Sequence, residues 1–183
     1  MSEYRFRREN FPPLPVRPEH MDLVLDFRDD RVAVESTLRL TARRPLDRLT
    51  LDARDLEVRA VVRVDAAGGE HPLPFLLRPE ARTLEVVLPE RLAPHATLVL
   101  RTRTVCTPSD RILEGIYRDT TPPGRPQQYM SQCQQWGFQR IAPVFDDCTA
   151  KCTFRTTLEA DARYTHLISN GDVDRRRNPS GRP

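Results

Sequence analysis

The chain has 183 residues, is 38% hydrophobic and 30% charged, and carries a formal net charge of +3. That length fits one domain that buries roughly 70% of its unfolded surface. The mixed, weak charge does not point to nucleic acid, the apolar fraction excludes a disordered chain, and no run of about 18 apolar residues could cross a membrane as a helix.

In chain order, Met1-Ser2-Glu3-Tyr4-Arg5-Phe6-Arg7-Arg8 lacks the apolar stretch of a secretory signal. Residues 1–19 then read as an extended arm, because Pro12, Pro13, Pro15 and Pro18 cannot propagate a helix or a central strand. Period-two alternation begins at Met21, Leu23, Leu25 and Phe27 and resumes at Val32, Val34, Leu38 and Leu40, with Asp29-Asp30 as the turn. Further strands are expected at Leu46–Leu51, Leu56–Val64, Leu84–Leu88 and Leu98–Val105, with a hairpin turn at Ala66-Ala67-Gly68-Gly69. Pro72, Pro74, Pro79, Pro89 and Pro94 fall between these segments. Short strands about 8–12 residues apart indicate an all-β sandwich.

Beyond residue 108 the texture changes. Asp119-Thr120-Thr121-Pro122-Pro123-Gly124-Arg125-Pro126 is a long turn-rich loop. It leads into Tyr129–Arg140, amide-rich and holding the only Trp of the chain. Strands resume at Cys152–Leu158 and Tyr164–Ser169, followed by an Asn170-Gly171 turn. Arg175-Arg176-Arg177 reads as solvated, and residues 176–183 as a linker-like tail.

Chemically, the amides stand out. If Tyr129–Gln135 is extended, Gln132 and Gln134 share one face. Two amide oxygens there suit a primary ammonium, which needs acceptors for its N–H groups; a polar edge strand or an amide ladder would use the same pattern. The four cysteines (106, 133, 148 and 152) include one C-x3-C pair. Zinc sites favour paired C-x2-C or C-x4-C sets, so these read as reduced thiols of a cytoplasmic protein. The four histidines (20, 71, 95 and 166) include no two-His helical zinc motif. Asp146-Asp147 suit a turn or a cap. No nucleophile elbow, phosphate loop or dinucleotide fingerprint is present. The residues describe a β domain that binds or positions something.

Several motifs occur in order: Gly115-Ile116-Tyr117-Arg118, Ser131-Gln132-Cys133-Gln134, Gly137-Phe138-Gln139-Arg140-Ile141-Ala142-Pro143-Val144-Phe145-Asp146, Lys151-Cys152-Thr153-Phe154 and Leu167-Ile168-Ser169-Asn170-Gly171. Together they resemble the N-terminal β domain of the aminopeptidase N family of zinc metallopeptidases, which includes leukotriene A4 hydrolase. The resemblance spans residues 18–175, with the sharp motifs confined to 113–171.

It implies a saddle-like β-sandwich of short antiparallel strands over residues 20–175. This sandwich would pack on a catalytic domain and partly cap its active site. By motif position, Gln132 and Gln134 would anchor the α-amine of a peptide substrate, with no catalytic residue in this chain. Where some members carry Glu, Gln134 offers a neutral acceptor, roughly half as strong as a charged one. Asp146-Asp147-Cys148 lacks the Pro of the Asp-Glu-Pro or Asp-Arg-Pro that the family usually shows after the Phe. Trp136 reads either as a packing residue or as part of an interdomain or substrate wall. The family's Gly-Ala-Met-Glu-Asn and His-Glu-x-x-His segments are absent here, so zinc is implied for a separate catalytic domain and no cofactor for this one. The chain is therefore expected to be part of a larger aminopeptidase lacking its last sandwich strands, with an unpaired sheet edge open to self-association. The rival is a free-standing, non-catalytic interaction module; an epoxide hydrolase-like parent is a third reading. Neither nucleic acid nor membrane is expected as a partner.

Overall fold

The computed structural model describes residues 12–28 and 30–173. Alternation in the sequence becomes strand after strand. A six-stranded sheet has the order β11-β1-β2-β8-β4-β5. Its members are β1 (Val16–Phe27), β2 (Val32–Ala42), β4 (Leu56–Val64), β5 (Glu70–Pro72), β8 (Thr97–Cys106) and β11 (Thr153–Glu159). A three-stranded sheet holds β3 (Leu46–Asp52), β7 (Thr83–Leu92) and β6 (Phe75–Arg78) in the order β3-β7-β6. A two-stranded ribbon joins β9 (Gly115–Arg118) to β10 (Tyr129–Gln132). The all-β sandwich expected from the period-two pattern is present. Among the described residues no helix is long and apolar enough to cross a membrane.

One face of each sheet makes the core. Met21, Leu23 and Leu25 of β1, Val34, Leu38 and Leu40 of β2, and Leu98 and Leu100 of β8 are buried with Leu49 and Leu51 of β3 and Leu84 and Val86 of β7. Burying side chains of this size contributes about 1.5–3 kcal/mol each. The intervening residues carry charge. On the outer face Glu70 of β5 accepts hydrogen bonds from Arg101 and Arg103 of β8, and Arg103 also binds Glu35 of β2. The two guanidiniums, Arg103 first, hold the Glu70 carboxyl down at about 2. Three buried hydroxyls interrupt the apolar face: Ser36 and Thr102 bond each other at 2.8 Å, while the Thr104 hydroxyl has no partner among the described residues.

Several details differ from the sequence expectation. β1 begins at Val16, inside the stretch expected to be an arm, and passes Pro18 by a register shift between Pro18 and His20. A shift at that point accommodates a residue that cannot donate to the ladder. β7 likewise runs through Pro89, where its pairing with β3 shifts register between Leu46 and Arg48. The short strands β5 and β6 were not anticipated, because Pro72, Pro74 and Pro79 obscure any alternation there. The strand expected at Tyr164–Ser169 is absent. Among the described residues no strand pairs with that segment, and Leu167 and Ile168 are exposed. Among the described residues one ladder is parallel, β1 with β11, and the others are antiparallel, with one isolated parallel bridge between Ser109 and Tyr117.

The hairpin at Ala66–Gly69 forms as expected. Asp65 organises it: one carboxylate oxygen accepts from the Ala67 and Gly69 N–H groups, and Gly68 takes a φ of 87°. The expected Asp29-Asp30 turn lies partly outside the described residues. Around it, Arg28 N–H donates to the Arg31 carbonyl and Phe27 pairs with Val32. The arm up to residue 11, Arg175–Arg177 and the tail lie outside the described residues.

Candidate functional site

The amide-rich stretch lies at one end of the β9–β10 ribbon. Pairing of Gln132 with Gly115 is the last rung of that ribbon. The strand stops there rather than continuing to Gln135, so Gln134 is in a turn and the period-two argument does not cover the pair. Both glutamine side chains are exposed. The turn is tight and strained. Gly137 N–H donates back to the Cys133 carbonyl at 3.1 Å. Gln135 and Trp136 have φ values of 59° and 69°, left-handed conformations that cost a non-glycine residue about 1–3 kcal/mol.

The local sequence shows why the turn holds. Gly137 packs against the end of β10, where a Cβ would lie 2.2 Å from the Gln132 carbonyl oxygen. A short 3₁₀ helix, Phe138–Arg140, follows at once. Asp146 steadies its start by accepting the Gln139 N–H at 3.1 Å, and its own N–H is held by the Asp52 carboxylate at 2.9 Å. Burial, with Asp52 alongside, raises the Asp146 pKa despite those bonds. Asp147 does what a turn residue does, accepting from the Thr149 N–H at 2.7 Å. The local turn role expected of the aspartates is observed for Asp147, without the family's proline; Asp146 instead reaches back to the Gln139 N–H.

Arg140 is the anchor. Its side chain is 9% exposed, and it bonds Glu114 at 3.0 Å and Asp55. Arg54 closes the cluster by bonding the same Glu114 oxygen at 3.3 Å. Gly115, at φ 68°, lets the backbone pass beneath this side chain; a Cβ there would meet Arg140 Cβ at 2.7 Å. The Arg-x-x-Pro element thus ties the 3₁₀ helix to the start of β4 and to β9.

An open cleft of about 400 Å³ lies beside the turn, lined by Asp52, Arg54, Arg82, Glu114, Gln135 and Trp136 among others. Sequence reading missed most of these, because Asp52, Arg54 and Arg82 sit at strand ends where no spacing marks them. Trp136 is not a core residue: it is 63% exposed at the mouth of this cleft. The cysteines are all free thiols. Burial pushes Cys106 up to about 12, which makes it unreactive. Among the described residues no three His, Cys, Asp or Glu side chains come together in a way that could hold a metal ion.

A model of the peptidase M1 N-terminal domain matches residues 17–182. The chain belongs to that family. Among solved structures, its fold is similar to that of a mutant M1 zinc metallopeptidase from Deinococcus radiodurans bound to a Tyr-Ser-Ala substrate. The TM-score is 0.64 at 24% identity, over 80% of this chain and 33% of that one. At that identity the likeness is one of fold. This M1 N-terminal domain therefore spans about a third of the length of that peptidase. A search of curated protein sequences gives no match.

Proposed function

We propose that this M1 N-terminal domain works beside a zinc-bearing catalytic domain in an aminopeptidase. There it caps the active site and anchors the α-amine of a peptide through Gln132 and Gln134. The observation that supports this reading most is the family match over residues 17–182, which includes the Ser-Gln-Cys-Gln segment. The geometry is compatible with it. Both amides are exposed, and the turn after Gln132 is held by Gly137, Asp146 and Arg140.

An ammonium offers three donors and an amide oxygen accepts them without changing protonation, so near neutral pH only the amine, with an ordinary pKa of about 8, changes charge in the contact. Among the described residues no set of His, Cys, Asp or Glu side chains fits zinc; by the family match, the metal and the hydrolytic step would belong to the catalytic domain. Four free thiols suit a cytoplasmic setting.

The test is kinetic, in the enzyme that carries both domains. Gln132→Ala and Gln134→Ala should each raise KM for free-amine peptides by roughly 2–10-fold, the worth of one net hydrogen bond. Zinc content should not change. An unchanged KM in both variants overturns the anchoring role.

A further inference from the structure

The strand that carries Gln132 takes its place from β9. Among the described residues β10 pairs with β9 alone, and a bridge from Tyr117 to Ser109 ties β9 to the segment that follows β8. Met130, Ser131 and Gln132 of β10 are exposed, so burial within this domain does not set the register of the strand. A slip of one residue would turn Gln132 to the other face of the ribbon. In a tight hairpin the turn itself fixes the register, but here a long loop, residues 119–128, joins the two strands. The base of that loop is clasped. Asp119 N–H donates to the Gln128 carbonyl at 3.0 Å. Thr121 Oγ1 accepts the Gln128 N–H at 2.8 Å and the Gln127 side-chain amide at 3.2 Å, and it donates to the Asp119 carbonyl at 3.2 Å. The Gln127 amide also donates to the Asp119 and Gln128 carbonyls at 2.8 and 2.9 Å. Thr121 and Gln127 are the two half-buried residues of the loop. Its tip is a turn of its own: Arg125 N–H donates to the Pro122 carbonyl, with Pro123 and a left-handed Gly124 at the centre.

We propose that Thr121 and Gln127 are positioning residues: their clasp sets the register of the β9–β10 ribbon and so decides where Gln132 presents its amide. The ribbon carries the clasp along four rungs, from Tyr129 opposite Arg118 to Gln132 opposite Gly115. The last rung has no slack. Gly137 lies against the Gln132 carbonyl and Gly115 against Arg140, and a Cβ on either glycine would clash. A strand delivered one residue early or late would bring Ser131 or Cys133 to the rung opposite Gly115.

The functional half of this inference rests on the amine-anchoring reading, and the experiment keeps the two apart. In the enzyme that carries both domains, Thr121→Val removes the hydroxyl and Gln127→Glu the amide donors, with little change of shape. Each should raise KM for free-amine peptides by about 2–10-fold, the worth of one net hydrogen bond, and leave kcat unchanged. Thr121→Ser keeps the hydroxyl and should restore KM. In an enzyme already carrying Gln132→Ala and Gln134→Ala, Thr121→Val should add nothing, because it acts through the amides. A wild-type KM in the loop variants beside a raised KM for Gln132→Ala overturns the proposal, and so does an effect of Thr121→Val that adds in full to the glutamine changes. An unchanged KM in both glutamine variants overturns the anchoring reading instead. The clasp is then decided by amide hydrogen exchange in the same enzyme, which Thr121→Val should speed across β9 and β10; unaltered exchange there overturns it.

Discussion

The strand-built half of the molecule, residues 16–106, and the loop-built half after it obey different rules. In the first half each element is held by its neighbours. β8 lies between β2 and β4, and its inward residues Leu98, Leu100 and Thr102 are almost fully buried. In the second half short pieces are held by individual side chains. Arg140 binds Glu114 and Asp55, Asp146 caps the 3₁₀ helix, and Gly137 lets the turn close on β10. Positive φ at non-glycine residues occurs in both halves, at Asp55, Arg82 and His95 in the first and at Gln135 and Trp136 in the second; Arg82, Gln135 and Trp136 line the cleft. The first half provides the stability that lets the second hold an exposed tryptophan and two exposed amides in a fixed, costly turn.

Substitutions should separate the two halves. The largest effect belongs to the sandwich. Leu100→Ala, at a side chain 1% exposed, should cost about 2–5 kcal/mol by urea denaturation, because the close-packed surroundings cannot collapse on the cavity. A loss under 1 kcal/mol would mean the two sheets are loosely packed. Next comes the turn. Gly137→Ala forces a Cβ against the Gln132 carbonyl and should cost about 1–3 kcal/mol. Its amide chemical-shift changes should concentrate at 132–140 and leave β2 and β8 unmoved. Changes spread through the sandwich would break the division drawn here.

The smallest effect is electrostatic. Glu70 is held at about 2, below its ordinary 4.5, so its ionised form favours the fold above about pH 4.5 and that contribution fades as pH falls toward 2. Glu70→Gln should therefore lower Tm slightly at neutral pH, and the gap to the wild type should close in acid. Because the group is at the surface, added salt should narrow the gap too. A gap that widens in acid would reverse the sign of this argument.

Legibility follows the same division. Where one face of a strand is buried, the sequence has to alternate, and β2, β4 and β8 were visible for that reason. Where a side chain holds a loop, no period exists. Arg140, Glu114 and Asp55 are far apart in the chain, and only the fold brings them together. Gln132 and Gln134 were singled out first by a shared strand face and then by a motif, and the strand that was to align them ends at the first of the two, so only the motif still points to the pair. Trp136 could have been a core residue by type, yet two left-handed residues turn it outward, a conformation that nothing in its neighbours announces. The parallel pairing of β11 was equally hidden, because alternation carries no information about direction.

That parallel pairing bears on how the chain is made. His20 of β1 and its partner Thr153 of β11 are 133 positions apart, so β1 must wait for a strand made long after it. Contacts of such sequence separation form late, and the emerging chain holds β1 with a bare side throughout the synthesis of the sandwich. The register shift at Pro18 lies near the start of that bare side.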